Sequence, residues 1–319
     1  MIMKKFIAIG LFRVLKAALK KIELLVKKPI YRIFSFRRLA NNNFSTTFIH
    51  EGNVRIKLPK VSPYSAMFDT NGILTQTISF YFRPQAEVLL RKIIFDLYDK
   101  NYLDSDKSII DIGCWLADNS IVWASIISNK ARVYAIDPSI KNLEFGKELA
   151  NINDITNIVW VDAVCSDKVG IPLNFDGNIE HATFKEAKKS NHAIISTTLD
   201  EVVGDQFGTI GLLHVDVEEF ESNVLKGASK IIEASRPVVT FEQHISVEDV
   251  SKIINFLECF NYKIFMINEV LPGCNLDCRN FIAFDENRAH PQLDDVEQRN
   301  GKDQGIFYAC LGPQLIPVN

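Results

Sequence analysis

The stretch that decides the fold runs from Lys107 to Asp137, KSIIDIGCWLADNSIVWASIISNKARVYAID. Its first apolar run, Ser108-Ile109-Ile110-Asp111-Ile112, stops at Gly113; a polar group follows at Asp118-Asn119-Ser120, and Ile121, Trp123, Ala124 and Ile127 then recur at helical spacing. A second run, Arg132-Val133-Tyr134-Ala135-Ile136, closes on Asp137. Strand, tight turn, helix and strand in that order make a βαβ unit with a carboxylate near the end of each strand.

In an open parallel sheet, ligands bind beyond the carboxyl ends of the strands, where loops and helix N-termini present unpaired N–H groups. Two acids there suit a nucleoside. A carboxylate ending the second strand can accept hydrogen bonds from both ribose hydroxyls, and Gly113 lets backbone approach the ligand closely. The full G-x-G-x-x-G cradle is absent, with Ala117 where a second glycine would stand, so a pyrophosphate site and nicotinamide chemistry are disfavoured. The plain alternative is that Asp111 and Asp137 only cap the helices that follow them.

Upstream, Val88, Leu89, Ile93, Ile94, Leu97 and Tyr98 predict a helix between Pro84 and Asn101. Residues 39–83 form a polar, turn-rich lead-in, and residues 1–38 are basic and amphipathic, with eleven Lys/Arg against the single acid Glu23. The longest uncharged run there, Phe6 to Phe12, is far short of the roughly 20 residues of a spanning helix, and no small-residue cleavage site follows. Such a helix suits the interface of an anionic leaflet, or packing on its own domain or on a partner subunit in an oligomer.

Downstream, Pro138 and Ser139 open a helix to about Asn151, and Asn157–Val161 predicts a third strand closed by Asp162, a candidate acceptor for an exocyclic amino group of a base. Residues 165–208 read as hairpin material with a turn at Asp176-Gly177-Asn178, carrying His181 and Thr183 as candidate acceptor contacts. Ile210–Val217 is a fourth strand delivering Asp216. Glu218-Glu219-Phe220-Glu221 then begins one helix with its apolar stripe at Val224, Leu225, Ala228, Ile231 and Ile232. Four acids in six residues exceed what capping needs, and crowding is expected to raise the pKa of at least one and supply a proton acceptor. Arg236–His244 predicts a fifth strand, Val250–Phe260 a helix, Tyr262–Ile267 and Phe281–Phe284 closing strands, and Gly305–Leu311 an edge segment.

Asp111-Ile-Gly113-Cys-Trp-Leu-Ala-Asp118-Asn-Ser120, Asp137-Pro138, Leu199-Asp200, His214-Val-Asp216-Val-Glu218-Glu219-Phe-Glu221 through Val224-Leu225-Lys226-Gly227-Ala228, and Arg236-Pro237 through Glu242 together resemble the FkbM-type S-adenosylmethionine-dependent methyltransferases. The resemblance covers roughly residues 84–285. It implies a Rossmann-like class I α/β fold: a seven-stranded, mostly parallel sheet with an antiparallel last strand and helices on both faces. It also implies S-adenosylmethionine as cofactor and methyl transfer to an oxygen of a sugar, glycan or secondary metabolite. By motif position Asp111 and Gly113 would frame the methionine part, Asp137 the ribose and Asp162 the adenine, with Ser120 a further cofactor-binding residue. Asp216, Glu218 and Glu242 would face the acceptor, with Asp216, Glu218 or His244 as the base. The chain departs from the family pattern at Trp115, usually a small residue or Asn; Ala117, usually glycine; His214, usually lysine; and Glu219, usually glycine. Trp115 is large enough to fill part of the cofactor pocket, and Ala117 matters if its position needs positive φ. A catalytically silent relative that keeps the fold for binding, or a membrane-associated scaffold working through residues 1–38, is the alternative.

Composition sets the remaining bounds. With 319 residues, 47% hydrophobic and 24% charged, the chain can bury one large α/β core, divided here as 1–38, 39–83, a methyltransferase domain at 84–290 and an extension at 291–319. Subtracting the +10 of residues 1–38 from the net charge of −3 leaves about −13 on the remainder, which argues against nucleic acid as partner. Six scattered cysteines read as reduced thiols of a cytoplasmic protein, one peripheral to the inner membrane face if its basic helix binds there. The pair Cys274 and Cys278 lacks the second pair or histidines a zinc site needs, so no metal is expected.

Overall fold

In the computed structural model, the described residues are 47–49, 55–57, 88–178, 181–186, 194–244, 249–268, 278–289, 291–293 and 313–318. The chain divides into two compact units, 1–45 and 46–319, and the described residues all belong to the second. The basic N-terminal helix, Cys274 and the Gly305–Leu311 segment lie outside them, as do the side chains of His181, Thr183, His244 and Cys278.

The elements, in chain order, are β1 (Thr47–Ile49), β2 (Arg55–Lys57), α1 (Val88–Asp99), β3 (Ser108–Ile112), α2 (Asp118–Ala124), β4 (Val133–Ile136), α3 (Ile140–Ile152), β5 (Ile158–Val161), β6 (Pro172–Asn178), β7 (His181–Glu186), β8 (Ile194–Ile195), α4 (Leu199–Val203), β9 (Ile210–Val215), α5 (Glu221–Lys226), α6 (Ser229–Ser235), β10 (Val238–His244), α7 (Asp249–Glu258), β11 (Tyr262–Ile267), β12 (Cys278–Asp285) and β13 (Leu315–Pro317). The main sheet has the order β13-β11-β12-β10-β9-β3-β4-β5. Strands β10, β9, β3, β4 and β5 run parallel, whereas β12 lies antiparallel between β10 and β11.

That is the expected mixed α/β sheet, with one strand more than the seven the resemblance implies. The eighth, β13, pairs antiparallel with β11 through three residues and ends at Pro317, a residue suited to a sheet edge because it has no N–H to donate. The central strands are apolar on both sides because both faces are covered. Ile109, Leu212 and Val238 pack with α1, α2 and α3, whereas Ile110, Ile112, Leu213, Val215 and Phe241 pack with α4 through α7. The order places the β3/β9 boundary, where the winding reverses, at the middle of the sheet, and ligands bind beside such a reversal.

Two expectations give way. Strand β6 runs straight through Asp176-Gly177-Asn178, which pairs with β7 as Asp176↔Thr183, Gly177↔Ala182 and Asn178↔His181, so the reversal falls after these residues. The helix expected from Glu218 onward is two helices separated at Gly227, where a Cβ would stand 2.0 Å from the Ser166 carbonyl oxygen. The apolar stripe is continuous across the break, so the close backbone approach decides it. The second of these helices, α6, has no side-chain cap of its own. Asp200 supplies it from α4, its two carboxylate oxygens accepting the Lys230 and Ile231 N–H groups at 3.1 Å each. Burial pushes that carboxyl up, and the two N–H donors hold it down in part.

Asp200→Ala removes this cap without touching the sheet. The expected loss is about 1–2 kcal/mol, read as a lower urea midpoint at unchanged slope.

Candidate active site

Three loops meet at the carboxyl ends of β3, β4 and β9. The first, after β3, is built on left-handed backbone: Gly113 at φ 77°, Trp115 at 46° and Ala117 at 60°. At Gly113 only glycine fits, since a Cβ would lie 1.6 Å from the carbonyl oxygen of Asp216. The neighbouring Asp216 N–H donates to the Ile112 carbonyl at 3.0 Å, and Gly113 N–H donates to the Ile136 carbonyl at 2.9 Å. The β3 loop is thus seated between the ends of β9 and β4.

Ala117 does occupy a position that needs positive φ. Its backbone sits in the left-handed region where the family pattern has glycine, while its methyl is fully buried. The left-handed strain costs about 1–2 kcal/mol, and the buried methyl returns roughly half of that. Trp115 is half-buried and packs against the core beside α1 and α2.

The polar group Asp118-Asn119-Ser120 is engaged from below. Ser120 donates to Asp111, and both are buried. Arg91 on α1, 3% exposed, reaches Asp118 Oδ2 with Nη2 at 2.6 Å and Asn119 Oδ1 with Nε at 2.8 Å. Asp111 and Ser120 therefore brace the β3 loop from the core. Sequence reasoning missed Arg91; its only signal is a charge inside the apolar run Leu89-Leu90-Arg91-Lys92-Ile93-Ile94.

Asp137, ending β4, is 6% exposed and ties two loops together. Its Oδ2 accepts the Trp115 N–H at 3.0 Å, and its Oδ1 accepts Ser139 N–H at 2.8 Å and Asn142 Nδ2 at 3.1 Å. Burial pushes the carboxyl up to about 6, against those three donors, and the charge of Asp162 adds to the rise. A carboxylate has roughly four acceptor directions, so capping its own helix leaves Asp137 with capacity for a ligand hydroxyl. Asp162 itself is exposed at the end of β5.

On β9, the acids sort by burial. Asp216 and Glu218 are half-buried, Glu219 is exposed, and Glu221 is 2% exposed. Glu221 Oε1 accepts the Val217 and Glu219 N–H groups at 3.1 and 3.2 Å, and Oε2 accepts Gln243 Nε2 at 2.8 Å. Desolvation pushes its carboxyl up to about 7, with the Glu218 charge a lesser cause. The expected raised carboxyl thus exists, at a residue whose oxygens are spent on the loop. Glu242 lies on β10 one step beyond the Val215–Phe241 pair, on the same sheet face as Asp216. Among the described residues no cluster of three or more His, Cys, Asp or Glu could hold a metal.

Glu221 and Asp137 both have folded pKa values above those of the unfolded chain, so the native state keeps protons that the unfolded state has released. Stability is expected to fall as pH rises from about 4 through about 7, and to level off above. Asp285, held low by Arg236, acts only below this window. Glu221→Gln should remove about half of the decline, roughly 3 kcal/mol between those limits, in urea titrations across pH; an equally steep decline in the variant would refute the assignment.

Residues 118–264 match the model of the methyltransferase FkbM domain. No functionally curated protein matches the chain. Among solved structures, methyltransferase FkbM from Methylobacillus flagellatus KT is 15% identical, over 56% of this chain and 44% of that one, with a TM-score of 0.43. Precorrin-6y C5,15-methyltransferase from Geobacter metallireducens GS-15 is 12% identical over 57% and 82%, with a TM-score of 0.37. SMU.1697c from Streptococcus mutans, solved with SAH, is 13% identical over 57% and 90%, with a TM-score of 0.38. The chain spans less than half the length of the Methylobacillus flagellatus protein. The motif around Asp216 lies inside the matched span, and over residues 118–264 the chain is similar to the methyltransferase FkbM domain.

Proposed function

We propose that this domain binds S-adenosylmethionine across the ends of β3, β4 and β5 and transfers its methyl group to a hydroxyl oxygen of a sugar, glycan or secondary metabolite. The observation that carries the reading is the seating of Gly113 on the Asp216 carbonyl, with Asp137 fastened to the same loop through Trp115 N–H. This contact brings a left-handed loop open to close backbone approach, a buried carboxylate at the ribose position and the β9 acids to one end of the sheet.

The cofactor would supply an activated methyl on a sulfonium. The chain's own work is positional: Asp137 orients the nucleoside through a ribose hydroxyl, Gly113 seats the β3 loop beside it on the Asp216 carbonyl, and Asp162 at the exposed end of β5 meets the base. Carboxylates at the β9 and β10 ends favour the cationic sulfonium and remove the acceptor proton during an in-line displacement. Asp216, Glu218, Glu242 and His244 are the base candidates. Glu221 is set aside because all its described bonds hold backbone or Gln243. The acidic remainder of the chain disfavours nucleic acid as acceptor.

No helix among the described residues is long and apolar enough to cross a membrane. We place the protein in the cytoplasm, with residues 1–38 as a peripheral contact to the inner membrane face, where lipid-linked glycans would be acceptors. Trp115 and Ala117 support a second reading, a silent binding protein, because both stand at strained positions of the cofactor loop.

Isothermal titration with S-adenosylmethionine separates the two: heat of binding is expected for the wild type, and its absence would exclude the catalyst. Asp137→Ala should weaken binding about 10- to 100-fold, the worth of one or two charge-assisted hydrogen bonds. With radiolabelled methyl donor at saturating concentration and a glycan extract, Asp216→Asn or Glu218→Gln should lower turnover about 10²-fold or more; full turnover in both would move the base to Glu242 or His244.

A further inference from the structure

The turn after β9 holds Glu218 at φ 53° and Glu219 at φ 72°, two left-handed residues in succession without glycine's freedom. Such backbone persists only where the surroundings over-determine it. The determinant is one side chain. Glu221 Oε1 accepts the N–H of Val217, just before the strained pair, and the N–H of Glu219, within it. Its other oxygen is tethered by Gln243 Nε2 from β10. At its start the same turn carries the Asp216 carbonyl against which Gly113 is packed.

We propose that Glu221 is a positioning residue for the cofactor site: tethered by Gln243, it clamps the Val217 and Glu219 N–H groups, keeps residues 218 and 219 left-handed, and thereby seats the Asp216 carbonyl against Gly113. The inference rests on the S-adenosylmethionine reading of the β3 loop. It gives a role to the most buried acid of the run, which touches no reacting group. At residue 219, where the family pattern has glycine, the carboxylate two residues on accepts the N–H of a glutamate held left-handed.

The test uses the full-length chain, S-adenosylmethionine titration and hydrogen exchange of the 217–220 segment. Glu221→Ala is expected to weaken cofactor binding about tenfold or more and to speed exchange of the Val217 and Glu219 amides. Adding Glu219→Gly should restore most of the affinity, because glycine adopts the left-handed turn without a clamp. Neither a purely structural core role nor direct ligand contact predicts that rescue. Glu221→Gln, which keeps an oxygen for the two N–H groups but turns an NH2 toward the Gln243 donor, should weaken binding no more than about fivefold, the loss of the tether alone. Unchanged affinity in Glu221→Ala, or failure of Glu219→Gly to restore it, overturns the proposal. If Glu221→Ala does not fold, Gln243→Ala decides: it removes the tether while leaving the Glu221 carboxylate, a two- to fivefold weakening is expected on the order of one lost hydrogen bond, and wild-type affinity overturns the clamp. A wild-type chain that gives no heat with S-adenosylmethionine refutes the cofactor reading instead, and the exchange rates then still decide whether Glu221 holds the turn.

Discussion

The contact between Gly113 and the Asp216 carbonyl is the constraint on which the site depends. Two parallel strands, β3 and β9, end side by side at the reversal of the sheet's winding order, and a connection must leave each of them in a space too small for one Cβ. The chain solves this by giving β3 a glycine and letting the β9 backbone fill the space. Once the two are interlocked, neither loop can shift alone: Asp216 N–H is fixed on the Ile112 carbonyl, Gly113 N–H on the Ile136 carbonyl, and Trp115 N–H on Asp137. Three strand ends become one rigid rim, which suits chemistry whose demand is alignment rather than activation.

Beneath the rim the core is unusually polar. Asp111, His214 and Thr240 are register neighbours across β3, β9 and β10, and all are buried. His214 Nδ1 and Thr240 Oγ1 are hydrogen-bonded at 2.8 Å, and the edge of Trp123 meets the His214 ring at 5.1 Å. Ser120 engages Asp111 and Arg91 engages Asp118 and Asn119, so every polar residue at the start of α2 has a fixed partner. A buried ion pair such as Arg91–Asp118 does little for net stability, because desolvation offsets the attraction. What it does is forbid alternatives: any other placement of the α2 start would strand a charge. The left-handed residues Trp115 and Ala117 are held by that exclusion.

The sheet could be read from the sequence because its strands are short apolar runs, each closed by an acid or a glycine. Local chemistry, repeated at every strand, was enough to locate β3, β4, β5, β9 and β10 along the chain, while their order in the sheet comes from the structure. Legibility fails where a neighbour distant in sequence decides. Asp176-Gly177-Asn178 has the composition of a turn, yet pairs along β7. The Val224–Ile232 stripe has the period of one helix, yet the Ser166 backbone breaks it at Gly227. Motif residues shared with the family also divide on inspection. Asp200 caps α6, and Arg236 bonds Asp285 at 2.6 Å while stacking on Tyr262, so both serve the frame rather than the site. Arg91 was invisible because nothing in its helix says what its charge faces.

The acidic run after β9 shows why proximity in sequence ranks carboxylates poorly. Like charges at similar separations repel by similar amounts, so crowding does not distinguish one acid of the run from another. Desolvation breaks the tie. The chain turns through two left-handed residues, so the last acid is driven under the turn while the exposed Glu219 and half-buried Glu218 stay near water. The carboxyl that rises is thus the one that the turn itself buries, and the work it can do there is to hold backbone. Its half-buried neighbours, Asp216 and Glu218, stay nearer the solvent side of the turn. One local fold of the chain therefore separates a structural acid from more exposed ones within a few residues, and it does so through the same turn that locks β9 onto β3.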